Sequence, residues 1–114
     1  MSYVIPPAAQ AAVPVLGGGM FPVHRIYCVG RNYAEHAQEM GFTGREPPFF
    51  FLKPADAVVP VADGALGEID YPPQTGNFHH EIELVVALGK GGRDIEVSDA
   101  ASHIWGYAAG LDMT

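Results

Sequence analysis

The sequence predicts an α+β fold that is mainly β, and three observations lead to this prediction. The 114 residues include 14 Gly and 10 Pro, a composition that favours short strands and frequent turns over long helices. Several short runs are rich in β-branched and aromatic residues, as strands are. One stretch, Asn32 to Met40, instead has the apolar spacing of a helix.

The N-terminal residues 1–23 are predicted to form an extended arm that precedes the domain of residues 24–114. Within the arm, Val13 to Leu16 is predicted to be a short strand that Gly17-Gly18-Gly19 breaks. Arg25 to Gly30 is β-branched and aromatic and is predicted to be a buried strand.

A short helix is predicted next. Tyr33, Ala37 and Met40 are spaced i, i+4 and i+7, so they would share one helix face. Asn32 can cap the N-terminus of this helix. Gly41 supplies a C-terminal stop.

The middle of the chain is predicted to hold two more strands. Phe49 to Leu52 is an aromatic strand that Pro54 ends. Ala57 to Ala62 is a candidate strand, which Pro60 restricts to a sheet edge or a bulge because proline has no N–H to donate. Residues 63–78 are rich in Gly and Pro and are predicted to be turns.

The C-terminal part has the strongest strand pattern, from His80 to Leu88. Ser98 is a candidate cap for a helical turn that reaches His103. A last strand is predicted from about Trp105 to Met113, immediately before Thr114. The apolar strand so close to Thr114 suggests a truncated domain, whose remaining strands would cover this sheet.

Composition excludes several functional classes. Six Lys and Arg residues against 13 Asp and Glu residues give a net charge of −7, which argues against a nucleic-acid partner. Cys28 is the one cysteine, so a disulfide scaffold is excluded and a reducing compartment is expected. The first basic residue is Arg25, so the N-terminus lacks the charged region of a signal peptide, and no mostly apolar stretch reaches about 20 residues. We therefore expect a cytoplasmic protein without a membrane segment.

Three acidic residues form the first candidate site. Glu81 and Glu83 are two residues apart on a predicted strand, so their side chains point to the same face. A divalent cation between them would relieve their repulsion, and oxygen ligands favour Mg²⁺, Mn²⁺ or Ca²⁺. Asp112 would complete a three-carboxylate site if its strand neighbours theirs. The alternative is that all three acids simply face water.

His36 and Glu39 form the second candidate site. They are three residues apart on the predicted helix and therefore share a face. A carboxylate next to an imidazole orients the ring and raises its basicity, as a general base requires. An ordinary pair of surface side chains explains the same spacing.

Four motifs in order carry a resemblance to a known family. They are Tyr27-Cys28-Val29-Gly30-Arg31-Asn32-Tyr33 with His36, Phe51-Leu52-Lys53-Pro54, His80-Glu81-Ile82-Glu83-Leu84, and Gly106-Tyr107 through Leu111-Asp112-Met113-Thr114. This series resembles the fumarylacetoacetate hydrolase family, in its short acylpyruvate hydrolase branch, from about His24 onward. Within that branch, Pro48 to Asp56 looks most like the fumarylpyruvate hydrolases of gentisate breakdown.

The resemblance implies a fold and a set of residue roles. The family fold is a mixed β-sandwich roll that usually dimerises, and this chain would supply the N-terminal half of it. Glu81, Glu83 and Asp112 correspond to the carboxylate ligands for Mg²⁺ or Mn²⁺. His36 and Glu39 correspond to the dyad that activates water, and Lys53 is a candidate substrate contact.

The implied function is metal-dependent hydrolysis of a C–C bond in an acylpyruvate, most specifically fumarylpyruvate to fumarate and pyruvate. An oxaloacetate decarboxylase or a keto–enol tautomerase of the same family is the first alternative. Both rivals need the same half of the pocket, so the residues present do not separate them. A non-catalytic fragment or assembly domain is the alternative from another class. The expected partners are a small acylpyruvate substrate and a second copy in a homodimer.

Overall fold

A computed structural model describes residues 1–30 and 47–114 of the chain. The described residues divide into two units, Met1–Ile69 and Asp70–Thr114. Strands dominate both units, which confirms the prediction of an α+β, mainly β fold. The strands are β1 Ala12–Pro14, β2 Met20–Pro22, β3 Arg25–Gly30, β4 Phe49–Pro54, β5 His80–Leu88 and β6 Ile104–Met113, and two 3₁₀ segments cover Ala55–Ala57 and Val97–His103.

The N-terminal segment contains a hairpin where an extended arm with one strand was expected. β1 pairs antiparallel with β2, a strand that the sequence analysis missed. Gly17, Gly18 and Gly19 have φ angles of 92°, 122° and 87°, a region that glycine enters without steric cost. The three glycines therefore form the hairpin loop, and the Val15 N–H donates to the Gly19 carbonyl oxygen at 3.0 Å.

Three hydrogen bonds close the base of this hairpin. The Val23 N–H donates to the Ala11 carbonyl oxygen at 2.8 Å. The Gln10 side-chain amide donates to the carbonyl oxygens of Ala11 and Val23 at 2.9 and 3.0 Å. Residues 10–23 thus form a closed β-hairpin, where the sequence predicted an extended arm with one short strand.

The second strand pair of the first unit is β3 with β4, and both strands were predicted. They run antiparallel in a register that places Ile26 opposite Lys53 and Gly30 opposite Phe49. The Phe49 ring lies directly over Gly30, where any added Cβ would collide with ring atoms. Glycine at position 30 therefore allows the aromatic ring to pack on the backbone of the neighbouring strand.

The sequence predicted two further elements in this unit, a strand from Ala57 to Ala62 and a helix from Asn32 to Met40. The candidate strand from Ala57 to Ala62 is wrong: Ala55–Ala57 is 3₁₀, and residues 58–62 form no strand. Pro60 cannot donate a ladder hydrogen bond, which explains why a β-rich run stays unpaired here. The predicted helix from Asn32 to Met40 lies outside the described residues.

The second unit is built around the long antiparallel pair of β5 and β6. Its register runs from His80 opposite Met113 to Leu88 opposite Ile104, with one irregularity between Ala87 and Leu88. The ladder extends one residue further, because His79 and Thr114 exchange backbone hydrogen bonds of 2.7 and 2.9 Å. The predicted strands at His80–Leu88 and near Trp105–Met113 are both confirmed.

The connection into β6 is a 3₁₀ segment, Val97–His103, where the sequence predicted a helical turn capped by Ser98. The residue before this segment is Glu96, and no side-chain hydrogen bond caps it, so the role given to Ser98 is wrong. The segment is held at its other end, where the His103 Nδ1 atom lies 2.9 Å from the Lys90 carbonyl oxygen. Since a carbonyl oxygen only accepts, the Nδ1 atom of His103 must be the donor.

Side-chain burial is shallow throughout the part of the chain that the structure describes. None of its large side chains is fully buried. In the same residues, no helix is both long enough and apolar enough to cross a bilayer.

Candidate metal centre

The two glutamates of β5 lie on one face of the strand, as predicted. Side chains alternate along an extended strand, so Glu81 and Glu83 point the same way while Ile82 points to the other face. The burial of β5 follows this alternation at its start, because both glutamates are half-buried and Ile82 is 70% exposed. The local sequence alone therefore determines which face is acidic.

Asp112 joins the glutamates through the register of the two strands. It lies directly opposite Glu81 in the β5–β6 ladder and is also half-buried. One carboxylate oxygen from each of Glu81, Glu83 and Asp112 can be chosen so that all three lie within 4.8 Å of one another. The structure thus brings together the three acidic residues that the sequence analysis singled out.

The cluster fits a hard divalent cation. Carboxylate oxygens bind Mg²⁺ and Ca²⁺ at about 2.0–2.6 Å, so oxygens on opposite sides of one ion lie about 4–5 Å apart. The 4.8 Å limit on the three oxygens matches this spacing without a change in the strand register. An all-oxygen ligand set favours Mg²⁺, Mn²⁺ or Ca²⁺ over zinc.

Small residues surround the glutamates on the same face. Gly110 lies opposite Glu83, and Ala108 lies opposite Val85. A Cβ added at Gly110 would come within 2.8 Å of the Val85 Cγ2 methyl group. The Val85 side chain therefore packs over Gly110, next to Glu83, and occupies the space that a larger residue at position 110 would need. The sequence analysis did not identify Gly110, and its position opposite Glu83 is visible only in the register.

The chain that enters β5 is anchored by aromatic contacts. Tyr71 and Phe78 pack edge to face, with ring centroids 5.4 Å apart and an interplanar angle of 80°. The Phe78 N–H also donates to the Tyr71 hydroxyl oxygen at 3.3 Å. Together with the His79–Thr114 backbone pair, these contacts fix the end of the ladder next to Glu81 and Asp112.

Lys53 lies in the first unit, away from the acidic residues along the chain. It is half-buried on β4, opposite Ile26. A cavity of about 310 Å³ adjoins it, and its lining includes two further basic side chains, His24 and Arg25. The sequence analysis missed this cavity because no spacing rule links residues 24–26 to residues 52–55 before the β3–β4 register is known.

His36 and Glu39, the predicted general base and its orienting carboxylate, lie outside the described residues. Their role therefore stays a prediction.

Known proteins resemble this chain over the part of the sequence that carries the four motifs. A family model described as "Fumarylacetoacetate (FAA) hydrolase C-terminal" matches residues 25–114, which is most of the chain. The chain belongs to the fumarylacetoacetate hydrolase family. The resemblance carried by the four motifs is thereby confirmed.

One solved structure shows which member of the family this chain is similar to over nearly its whole length. The crystal structure of fumarylpyruvate hydrolase from Pseudomonas aeruginosa, in complex with Mn²⁺ and pyruvate, matches 99% of this chain with a TM-score of 0.95 and 61% sequence identity. The match covers 49% of that protein's chain. The fold is therefore a part of the family fold, as the sequence predicted.

Two relatives have other activities in their names. The mitochondrial oxaloacetate decarboxylase of Dictyostelium discoideum is 44% identical over 90 residues, which are 79% of this chain and 40% of that protein. The mitochondrial oxaloacetate tautomerase of Mus musculus is 46% identical over 89 residues, 78% of this chain and 38% of that protein. This chain thus spans about two fifths of the length of these relatives and about half of the bacterial hydrolase.

Proposed function

We propose that this chain carries the metal-binding part of an acylpyruvate hydrolase, an enzyme that cleaves a C–C bond in a 2,4-dioxo acid. The preferred substrate is fumarylpyruvate, and the products are fumarate and pyruvate, as in gentisate-type aromatic degradation. The observation that carries the proposal is the convergence of Glu81, Glu83 and Asp112 on one sheet face. The 61% identity to a fumarylpyruvate hydrolase with Mn²⁺ and pyruvate bound supports the substrate.

The proposed cofactor is Mg²⁺ or Mn²⁺, with Ca²⁺ as a further candidate. Glu81, Glu83 and Asp112 would hold the ion, and their three negative charges would exceed its charge by one. A divalent ion held there would polarise the oxygens of a bound keto acid.

Proton transfer is assigned to the predicted dyad. His36, oriented by Glu39, would take a proton from the attacking water. The hydroxyl group then goes to the acyl carbonyl carbon, the C–C bond breaks, and a proton goes to the departing carbon of pyruvate. The reaction consumes one water molecule and needs no oxidant or reductant. Lys53 is proposed as a substrate contact, since its ammonium group can pair with a substrate carboxylate.

A second candidate function is oxaloacetate decarboxylation or keto–enol tautomerisation. The names of the Dictyostelium and mouse relatives, at 44% and 46% identity, favour it. Oxaloacetate and acylpyruvates share the 2-oxo acid group that an oxygen-ligated ion would bind. The residues described here serve either reaction.

Three further assignments complete the proposal. We infer that residues 24–114 belong to the catalytic domain and that residues 1–23 precede it. The protein would act as a homodimer. We expect a cytoplasmic location, although the named Dictyostelium and mouse relatives are mitochondrial.

The test is the loss of the enol absorbance of fumarylpyruvate with Mn²⁺ present, before and after EDTA. We expect turnover that EDTA abolishes and added Mn²⁺ restores. Oxaloacetate turnover without fumarylpyruvate turnover would instead establish the second candidate. A folded, Mn²⁺-loaded protein inactive on both substrates would favour the non-catalytic assembly role.

The role of His36 has its own test. His36→Ala should lower turnover by about 10²–10⁴-fold, because a positioned general base contributes that much. Its affinity for Mn²⁺ should stay unchanged, and added imidazole should restore part of the turnover. A His36→Ala protein with full activity would contradict the proposed base.

A further inference from the structure

The acidic face of the β5–β6 pair, which carries Glu81, Glu83 and Asp112, extends by one further pair of residues. His79 and Thr114 exchange backbone hydrogen bonds of 2.7 and 2.9 Å, so they continue the ladder next to Glu81 and Asp112. Because side chains alternate along an extended strand, His79 points to the same face as Glu81. An imidazole therefore lies beside the carboxylates.

His79 adjoins the three ligand residues without being one of them. It is two positions from Glu81, a distance of about 7 Å along the strand. Among the described residues, the ligand atoms that converge within 4.8 Å come from Glu81, Glu83 and Asp112, and no ring nitrogen of His79 belongs to them. The His79 side chain is exposed. It is placed to contact a molecule bound to the ion, not the ion itself.

The charge of the site calls for a donor at this place. Three carboxylates and one divalent cation leave one negative charge, and a 2-oxo acid is itself an anion. Side-chain N–H or O–H groups that donate to the carboxylate of the acid would offset the repulsion. On the acidic face between residues 79–85 and 108–114, the side chains with such a group are His79 and Thr114.

The other cationic side chains of this unit lie elsewhere. Its Lys and Arg residues, Lys90 and Arg93, follow the last residue of β5, Leu88. From Glu83 to Leu88 the extended strand spans about 17 Å, so both cations lie at the far end of the ladder. His79 is thus the nitrogen donor that this unit places on the acidic face next to the carboxylates.

The backbone around His79 is held in place before any ligand binds. Both of its backbone polar groups are bonded to Thr114. The preceding residue, Phe78, packs edge to face on Tyr71 and donates its N–H to the Tyr71 hydroxyl oxygen. A donor on a fixed backbone loses less conformational freedom on binding than one on a mobile loop.

We propose that the His79 imidazole donates a hydrogen bond to the carboxylate of a 2-oxo acid bound at the metal centre. A neutral imidazole has one N–H to donate, so this role needs no change in protonation. The inference rests on the proposed metal centre and adds a substrate-binding residue to it.

The test measures two affinities by isothermal titration: that of the chain for Mn²⁺, and that of the Mn²⁺-loaded chain for pyruvate. His79→Ala should lower the affinity for pyruvate by about tenfold or more, because a hydrogen bond to a charged group contributes that much. The affinity for Mn²⁺ should stay within about twofold, because no ligand is lost. His79→Gln keeps a side-chain N–H and should recover most of the affinity for pyruvate.

His80→Ala is the matched control. His80 is also exposed and is the next residue along the chain, but alternation points it to the opposite face. Its removal should leave both affinities unchanged. The opposite face, called the apolar face below, carries Ile82, Leu84, Val86, Leu88, Tyr107 and Leu111.

Several results would overturn the role of His79. Native affinity for pyruvate in His79→Ala, or no affinity of the Mn²⁺-loaded native chain for pyruvate, would exclude the contact. A loss of Mn²⁺ affinity in His79→Ala as large as in Glu83→Gln would make His79 a metal ligand instead. An equal loss of pyruvate affinity in His80→Ala would show that the face does not matter.

Failure of the metal centre is distinguished from failure of this inference by the first titration. A native chain that does not bind Mn²⁺ would overturn the proposed metal centre and the role of His79 with it. Native Mn²⁺ affinity together with an unchanged affinity for pyruvate in His79→Ala would overturn the role of His79 alone.

Discussion

The two faces of the β5–β6 pair differ in charge and in side-chain size although the same two strands form both. One face carries Glu81, Glu83 and Asp112 beside small residues such as Gly110. The other face carries large apolar side chains that are 43–70% exposed. Because alternate residues point in opposite directions, a shift of one position moves a side chain from one face to the other. The proposed metal ligands and the large apolar side chains therefore lie on the same two strands and are separated only by the alternation of side chains.

The largest effect is expected when a carboxylate is removed from the acidic face. Glu83→Gln keeps the shape of the side chain and removes its charge. Loss of outer-shell partners already costs about 10–100-fold in metal affinity, so loss of a ligand should cost more than about 100-fold. Isothermal titration with Mn²⁺ measures the change. Glu68→Gln, at an exposed acid in the other unit, is the control and should leave affinity unchanged.

An exchange of neighbouring residues separates charge from position. The double variant Glu83→Leu, Leu84→Glu keeps the composition and net charge but moves the carboxylate to the apolar face. We expect a loss of Mn²⁺ affinity as large as in Glu83→Gln, measured by the same titration. If the exchanged protein bound Mn²⁺ with native affinity, net charge and not the face would explain binding.

A smaller effect is expected at the close contact beside the site. Gly110→Ala places a Cβ 2.8 Å from the Val85 Cγ2 methyl group, so the Val85 side chain or one of the two strands must shift. Overpacking of this kind costs about 1–3 kcal/mol. Denaturant unfolding should show this loss, and Val85→Ala in the same protein should restore most of it. Additive losses in the double variant would show that the two residues do not compete for the same space.

The smallest effect is expected on the apolar face. Val86→Thr is nearly isosteric, and Val86 points away from the carboxylates. Its Mn²⁺ affinity should stay within about twofold of the native value, because the change alters no ligand and no charge on the acidic face. A tenfold loss in this variant would mean that the two faces are coupled through the strands.

Sequence reasoning recovered much of the fold where the signal is local. The strands at Arg25–Gly30, Phe49–Pro54 and His80–Leu88 follow from dense β-branched and aromatic runs. It failed where pairing decides the outcome. Ala57–Ala62 has strand-like composition without forming a strand, while Met20–Pro22 forms one because three glycines return the chain to β1.

The sequence by itself determined that Glu81 and Glu83 share a face and, through its four motifs, the family to which the chain belongs. The tertiary structure alone decided that Asp112 lies opposite Glu81, that Gly110 lies opposite Glu83, and that the large apolar side chains are left exposed. The physical reason is the range of each interaction. Alternation is a property of the extended backbone and needs only neighbouring residues. Register depends on ladder hydrogen bonds between segments separated by many residues, which no local pattern specifies.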